Sequence, residues 1–238
     1  YPDLAAYLSN YRFKKEFLNT YFEKYKYQKV INKVLPAFET VVEGQATELD
    51  FVSLLPARTN VFDKVDLVGA RVFFFDALGV EYLGYIQSKC NEYSLSANII
   101  CAHSELPSLT CFNREFVDVC ISKGCKVTDI KELDEIKHHG EDSFDYEKTK
   151  TPIYLIKELE IIDNVLKAIK GAILSDKYTK AVIVSDHGSS RLAVLHETEN
   201  LWQMETKGMH SGRCCPKNEI NVKPSFAIEA NDYWVLAN

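Results

Sequence analysis

Residues 180–194, KAVIVSDHGSSRLAV, carry an apolar run, Ala181-Val182-Ile183-Val184, into an acid, a histidine and a glycine. Such a run reads as a strand buried on both faces. In an open parallel sheet, chemistry gathers just beyond the carboxyl ends of the strands. A carboxylate placed there is costly unless something pairs with it. Asp186 and His187 together offer an oxygen and an imidazole nitrogen, a donor set that a divalent cation takes readily. Asp76 has the same placement, following Val72-Phe73-Phe74-Phe75. One such acid more often caps the next helix. Two of them, one with a histidine beside it, favour a metal centre.

Three more stretches carry groups of the right type. LPSLT (106–110) sets Thr110 just ahead of a predicted helix, whose first N–H groups can hold a phosphate or an oxyanion. LDEIKHHG (133–140) spaces Asp134 and His138 four residues apart, on one helical face, where they can grip one ion. Residues 131–148 are polar throughout, so a solvated charged loop is the competing reading there. His210 lies in the glycine-flanked stretch KGMHSGRCCP (207–216).

These groups need a frame. ARVFFFDALG (70–79) reads as a strand followed by a helix through about Cys90, and ANIICAH (97–103) as a second strand. A helix is expected near 113–124. Another spans 151–174, where Pro152 suits the first turn and Leu155, Leu159, Ile162 and Leu166 keep helical spacing. The strand 181–185 follows, and residues 226–238 read as two short strands about Asn231-Asp232. Strands separated by helices imply a parallel sheet with helices on both faces. Ahead of it, Phe13, Phe17 and Tyr21, and Leu18 with Phe22, recur at helical spacing and predict a helical lead-in. ARTNVFDKVD (57–66) reads as the connection. The expected division is therefore a helical segment over 1–66 and an α/β domain over 67–238.

Composition is that of an ordinary globular chain: 238 residues, 46% hydrophobic and 26% charged. The formal charge of −6 argues against general nucleic-acid binding through a basic surface. No apolar run approaches a membrane span, and no signal-like start is present, so a cytoplasmic location is expected. The seven cysteines make a poor disulfide framework and read as reduced thiols. Cys120, Cys125, Cys214 and Cys215 could share a zinc ion, but their spacing fits no usual knuckle, and buried small thiols are favoured. The chain starts at Tyr1 and stops at Asn238 just after an apolar stretch, which suggests a piece of a longer protein.

The sequence order is acid, hydroxyl, acid-x-x-x-His, Asp-His, His. It resembles the alkaline phosphatase superfamily. Within it, DALG, LPSLT, LDEIKHHG and above all VIVSDHGSSRLAVL (182–195) look like the PglZ domain of bacteriophage-exclusion (BREX) defence systems. The resemblance covers roughly 67–215. It implies a three-layer α/β/α sandwich of the alkaline phosphatase type. It also implies one or two divalent ions, usually Zn2+ with Mn2+ or Mg2+ as alternatives, flanking a threonine nucleophile. Asp76, Asp186 and His187 would then hold the ion that activates Thr110, and Asp134, His138 and His210 the other. His139 can replace His138, and Asp142 or Asp145 can replace Asp134. The last histidine can also lie past residue 238. Asn113, Arg114 and Arg191 are near enough to these motifs to contact a phosphate. His103 could support a ligand from behind, and Glu81 could pair with Arg191. The function implied is a metal-dependent phosphomonoesterase or phosphodiesterase of a phage-defence system. Its partners would be a phosphoester, a nucleotide or nucleic acid, and other defence proteins, with no membrane. A catalytically silent metal- or nucleotide-binding scaffold of the same complex is the alternative.

Overall fold

A computed structural model describes residues 1–138, 153–188, 192 and 212–236, leaving aside the side chains of residues 137 and 138. The chain opens with helices α1 (Pro2–Leu8), α2 (Glu16–Ile31), α3 (Pro36–Glu48), α4 (Asp50–Leu54) and α5 (Arg58–Phe62). Strand β1 (Ala70–Phe75) leads through a 3-10 turn (Val80–Tyr82) into α6 (Leu83–Glu92), α7 (Thr110–Asn113) and α8 (Glu115–Ser122). Then come β2 (Lys126–Ile130), α9 (Glu132–His138), α10 (Ile153–Leu174) and β3 (Lys180–Val184). Strands β4 (Cys214–Pro216), β5 (Ala227–Ala230) and β6 (Tyr233–Leu236) end the described chain.

A parallel sheet in the order β2-β1-β3 forms the centre. Successive side chains of a strand point to opposite faces, and β1 buries both of them. Val72 and Phe74 pack with Val127, Val182, Val184 and the α8 residues Phe116 and Val117. On the other face, Phe75, Ile130 and Ile183 pack with Leu155, Leu159 and Ile162 of α10 and with Tyr85 of α6. Leu155, Leu159, Ile162, Leu166 and Ile169 are all buried, as the helical spacing of α10 requires. The architecture is thus mixed α/β, with helices against both faces of the parallel sheet.

A smaller antiparallel sheet, β4-β6-β5, contains the hairpin expected about Asn231-Asp232. Its inner face shares a core with the helical lead-in: Tyr21 and Tyr25 of α2 and Phe38 and Val42 of α3 meet Cys215, Ala227 and Leu236. Helix α2 also reaches the parallel sheet's side of the molecule through Lys29. That ammonium is fully buried and donates to Glu81 Oε1 (2.8 Å), Tyr82 Oη (3.0 Å) and Glu158 Oε2 (2.7 Å). One lysine therefore ties α2 to the turn after β1 and to α10.

The chain departs from the sequence reading in several places: β2 and β4 are strands it does not contain, the helix expected near 113–124 is two, α7 and α8, and one expected strand is absent from the sheet. Residues 97–103 are not a strand of the sheet; they run without regular structure to a single parallel bridge between Ala57 and His103. The place beside β1 is taken instead by β2, whose sequence KVTDI is half-polar. Strand β3 lies at the other edge, so residues 180–184 are only partly buried, not buried on both faces as their apolar run implies. Among the described residues, no helix is long and apolar enough to cross a membrane.

Candidate metal centre

Strands β1 and β3 are parallel neighbours, with Phe74 level with Val184. Two residues further along each strand stand Asp76 and Asp186, so the register alone brings both carboxylates to one end of the sheet. The chain turns at once after Asp76. Ala77 is buried and adopts the left-handed region (φ 58°), a conformation that costs a residue with a Cβ about 1–2 kcal/mol. The turn aims the Ala77 N–H at Asp186 Oδ1 (3.1 Å), which also accepts the N–H of His187 (2.9 Å). Oδ1 of Asp186 is therefore satisfied. Oδ2 is buried and accepts no hydrogen bond among the described residues.

His187 makes the arrangement chemically specific. Its Nδ1 lies 2.8 Å from the Gly188 carbonyl, which can only accept, so Nδ1 carries a proton. In the neutral ring Nε2 is then an acceptor. It lies 3.2 Å from Asp186 Oδ2, 3.9 Å from Asp76 Oδ1 and 3.2 Å from Thr110 Oγ1. Thr110 also lies 3.4 Å from Asp76 Oδ1, but its single proton serves only one acceptor at a time. A proton added to Nε2 would point towards Thr110; the imidazolium would then form an ion pair with Asp186 Oδ2 at 3.2 Å but no hydrogen bond to it.

Asp76, Asp186 and His187 thus bring one donor atom each within 4.8 Å of one another, all on buried residues. The set fits a divalent cation. Two carboxylate oxygens and one imidazole nitrogen suit Zn2+ or Mn2+, and the orphaned Oδ2 is what a buried carboxylate shows when its natural partner is a cation.

Thr110 reaches the cluster as the first residue of α7, a single turn held in place by Asn113. Asn113 is fully buried, and its Nδ2 donates to the carbonyls of Glu105 (3.1 Å), Pro107 (3.3 Å) and Leu109 (3.0 Å). Its Oδ1 accepts from the Glu105 N–H (2.8 Å) and from Arg58 Nη1 (2.6 Å). With both ends of the amide engaged, Asn113 fixes the loop that carries Thr110, and it has no donor to spare for a phosphate. Arg114 is also engaged elsewhere, paired with Asp129 (2.8 Å) over the Phe74 ring. Glu81 pairs with Lys29, and His103 contacts the Ser104 carbonyl.

Asp134 stands in the first turn of α9, just past the carboxyl end of β2, with His138 one turn on. It is not part of the Asp76–Asp186–His187 group. The His138 side chain lies outside the described residues, as do His139, Asp142, Asp145, Arg191 and His210. Among the described residues the cysteines join no group of candidate metal ligands, and Cys120, Cys214 and Cys215 are buried in three separate apolar clusters. Two residues that the sequence did not single out hold the site from outside. Arg58 donates to Asn113 and to the Asp186 carbonyl (3.0 Å), and the buried Arg213 donates to the Ser108 carbonyl from Nη2 (3.1 Å).

No family model matches the chain, and no curated protein or solved structure gives a significant match. What the centre can do is therefore read from its residues.

Proposed function

We propose that the chain is a divalent-metal-dependent phosphoester hydrolase, built as a three-layer α/β/α sandwich of the PglZ type. One observation carries the reading. A threonine hydroxyl, an imidazole nitrogen and two buried carboxylates converge at the end of a parallel sheet, and one carboxylate oxygen lacks a hydrogen-bond partner among the described residues. Asp76, Asp186 and His187 would hold the ion. When bound, a divalent cation lowers the pKa of a neighbouring hydroxyl and stabilises the charge of an in-line phosphoryl transfer.

The chain's own residues supply the rest. The Gly188 carbonyl fixes the imidazole tautomer, leaving Nε2 as the ligating atom. Ala77 N–H fixes Asp186 Oδ1, so that Oδ2 faces the cluster. Asn113 holds Thr110 within reach of both Asp76 and His187. The Thr110 oxygen attacks phosphorus as its proton passes to solvent, and the bond from phosphorus to the ester oxygen breaks. The departing alcohol takes a proton from solvent, and water then cleaves the phosphothreonine. A covalent intermediate of this kind divides one difficult displacement into two easier ones.

A second ion, held by Asp134, His138 and His210, belongs to the same proposal, as does a role in a phage-defence complex. Both rest on the motifs DALG, LPSLT, LDEIKHHG and VIVSDHGSSRLAVL. The test is hydrolysis of a nitrophenyl phosphate monoester or diester with added Zn2+ or Mn2+, with the unaltered chain and with Thr110→Ala. Metal-dependent turnover that is lost in Thr110→Ala supports the hydrolase. Bound metal without turnover points to a scaffold module instead.

A further inference from the structure

Arg58 lies in the stretch that reads as a plain connection, far in sequence from every motif of the centre. Its guanidinium is nevertheless inserted between two of them. Nη1 carries two hydrogens and meets two acceptors, Asn113 Oδ1 (2.6 Å) and the backbone carbonyl of Asp186 (3.0 Å). The first acceptor belongs to the residue that fixes Thr110. The second belongs to a proposed metal ligand.

The rest of the side chain is held for this task. The guanidinium lies over the Phe116 ring at 5.1 Å, and Nη2 pairs with the half-exposed Glu115. Nε is buried without a partner, an unfavourable state that persists because the other nitrogens fix the orientation. Behind it, the bridge between Ala57 and His103 and the His103 N–H to Pro56 carbonyl bond (3.0 Å) anchor the start of α5 to the loop preceding Thr110.

We propose that Arg58 is a positioning residue that sets the distance between the Thr110 hydroxyl and the Asp186–His187 pair, an assignment that rests on reading the cluster as a metal centre. The two sides of the centre sit on separate elements, α7 and the end of β3, and neither is hydrogen-bonded to the other by backbone ladders. A planar fork holds both at once. A lysine ammonium at this position keeps the charge but not the fork geometry. Groups that orient metal ligands from behind typically alter metal affinity by about 10–100-fold when removed.

The experiment is a Co2+ titration of the full chain, following the visible absorption of the bound ion, with Arg58→Ala, Arg58→Lys and the remote core variant Val42→Ala. Both Arg58 variants are expected to bind Co2+ about 10–100-fold more weakly, with a changed band shape. Val42→Ala, a cavity in the cluster shared by α2 and α3, should lower the melting temperature without moving either property. Added guanidinium should restore part of the affinity of Arg58→Ala. Should Arg58→Ala fail to fold, Arg58→Lys, which keeps a cation over Phe116, carries the comparison. A folded Arg58→Lys with unchanged Co2+ affinity and spectrum would overturn the role of Arg58 alone. Absence of Co2+ binding by the unaltered chain would remove the metal centre itself and the Arg58 assignment with it.

Discussion

His187 Nε2 faces Asp186 Oδ2 across 3.2 Å, and no hydrogen bond joins them. Because Nδ1 is committed to the Gly188 carbonyl, two acceptor atoms meet across this gap when the imidazole is neutral. Buried acceptors set face to face repel unless a proton on the imidazole or a metal cation relieves them. The register of β1 and β3 brings Asp76 to the same place. The centre is therefore a consequence of two neighbouring strands ending on acids, with the histidine tautomer fixed by its own turn.

Thr110→Ala separates nucleophile from ligand. The carboxylates and the imidazole remain, so the variant is expected to keep its metal while losing turnover by at least a factor of about 100. Metal content by elemental analysis and ester hydrolysis, run on one preparation, check both halves. Undiminished hydrolysis would assign the attack to water.

Lys29 is the main ionic tie between α2 and the sheet domain. Lys29→Met would leave Glu81 and Glu158 buried without their shared cation, at a cost of about 3–5 kcal/mol. Urea denaturation measures it. A loss below about 1 kcal/mol would mean that the tyrosines around the cluster compensate.

How much of this was legible in the sequence follows from how local each signal is. The ends of β1 and β3, the hairpin β5–β6 and helix α10 announce themselves through runs or periods of apolar residues within a few positions. Strand β2 does not, because KVTDI carries two charged residues among its five and shows no apolar run. ANIICAH has strand-like composition, yet it lies outside the sheet, because composition does not say which segment wins the place beside β1. Lys29 and Arg58 are invisible in sequence for another reason. Their partners lie 52 and 129 residues away for Lys29, and 55 and 128 for Arg58. A lone cation on a helix looks the same whether it meets water or a buried carboxylate.

Gly84→Ala tests the close packing of the N-terminal segment. A Cβ there would meet the Ser9 carbonyl oxygen at 2.1 Å, a backbone atom that Lys26 Nζ also holds (2.7 Å). The segment must shift, and a loss of about 1–3 kcal/mol is expected in thermal denaturation. An unchanged melting temperature would show that the segment yields freely.

Thiol reactivity should divide the cysteines. Burial pushes the Cys101 thiol up to about 11, against an opposing hydrogen bond with Tyr11, whereas Cys111 is exposed beside Thr110. At pH 8 only about a thousandth of Cys101 is thiolate, so iodoacetamide should label Cys111 well before it. Mass spectrometry of timed samples reads the order, and equal rates would contradict the raised pKa of the half-buried Cys101.

Acid stability should depend on Asp163. Burial works to raise its pKa, but hydrogen bonds from Lys167 and Tyr93 outweigh it and hold the carboxyl below its ordinary value. A depressed carboxylate contributes stability above its unfolded pKa, and that contribution is lost as pH falls through the folded value. Asp163→Asn should therefore be less stable than the unaltered chain at neutral pH and should converge with it in acid. Parallel stability curves across that range would exclude the effect.

The most direct measurement is the metal content of the purified chain after dialysis against Zn2+, compared with that of Asp186→Ala. The unaltered chain should retain about one tightly held ion at Asp76, Asp186 and His187. Asp186→Ala should lose it while its far-ultraviolet circular dichroism stays the same. A chain that retains no metal, or a variant that retains as much as the parent, would contradict the metal centre.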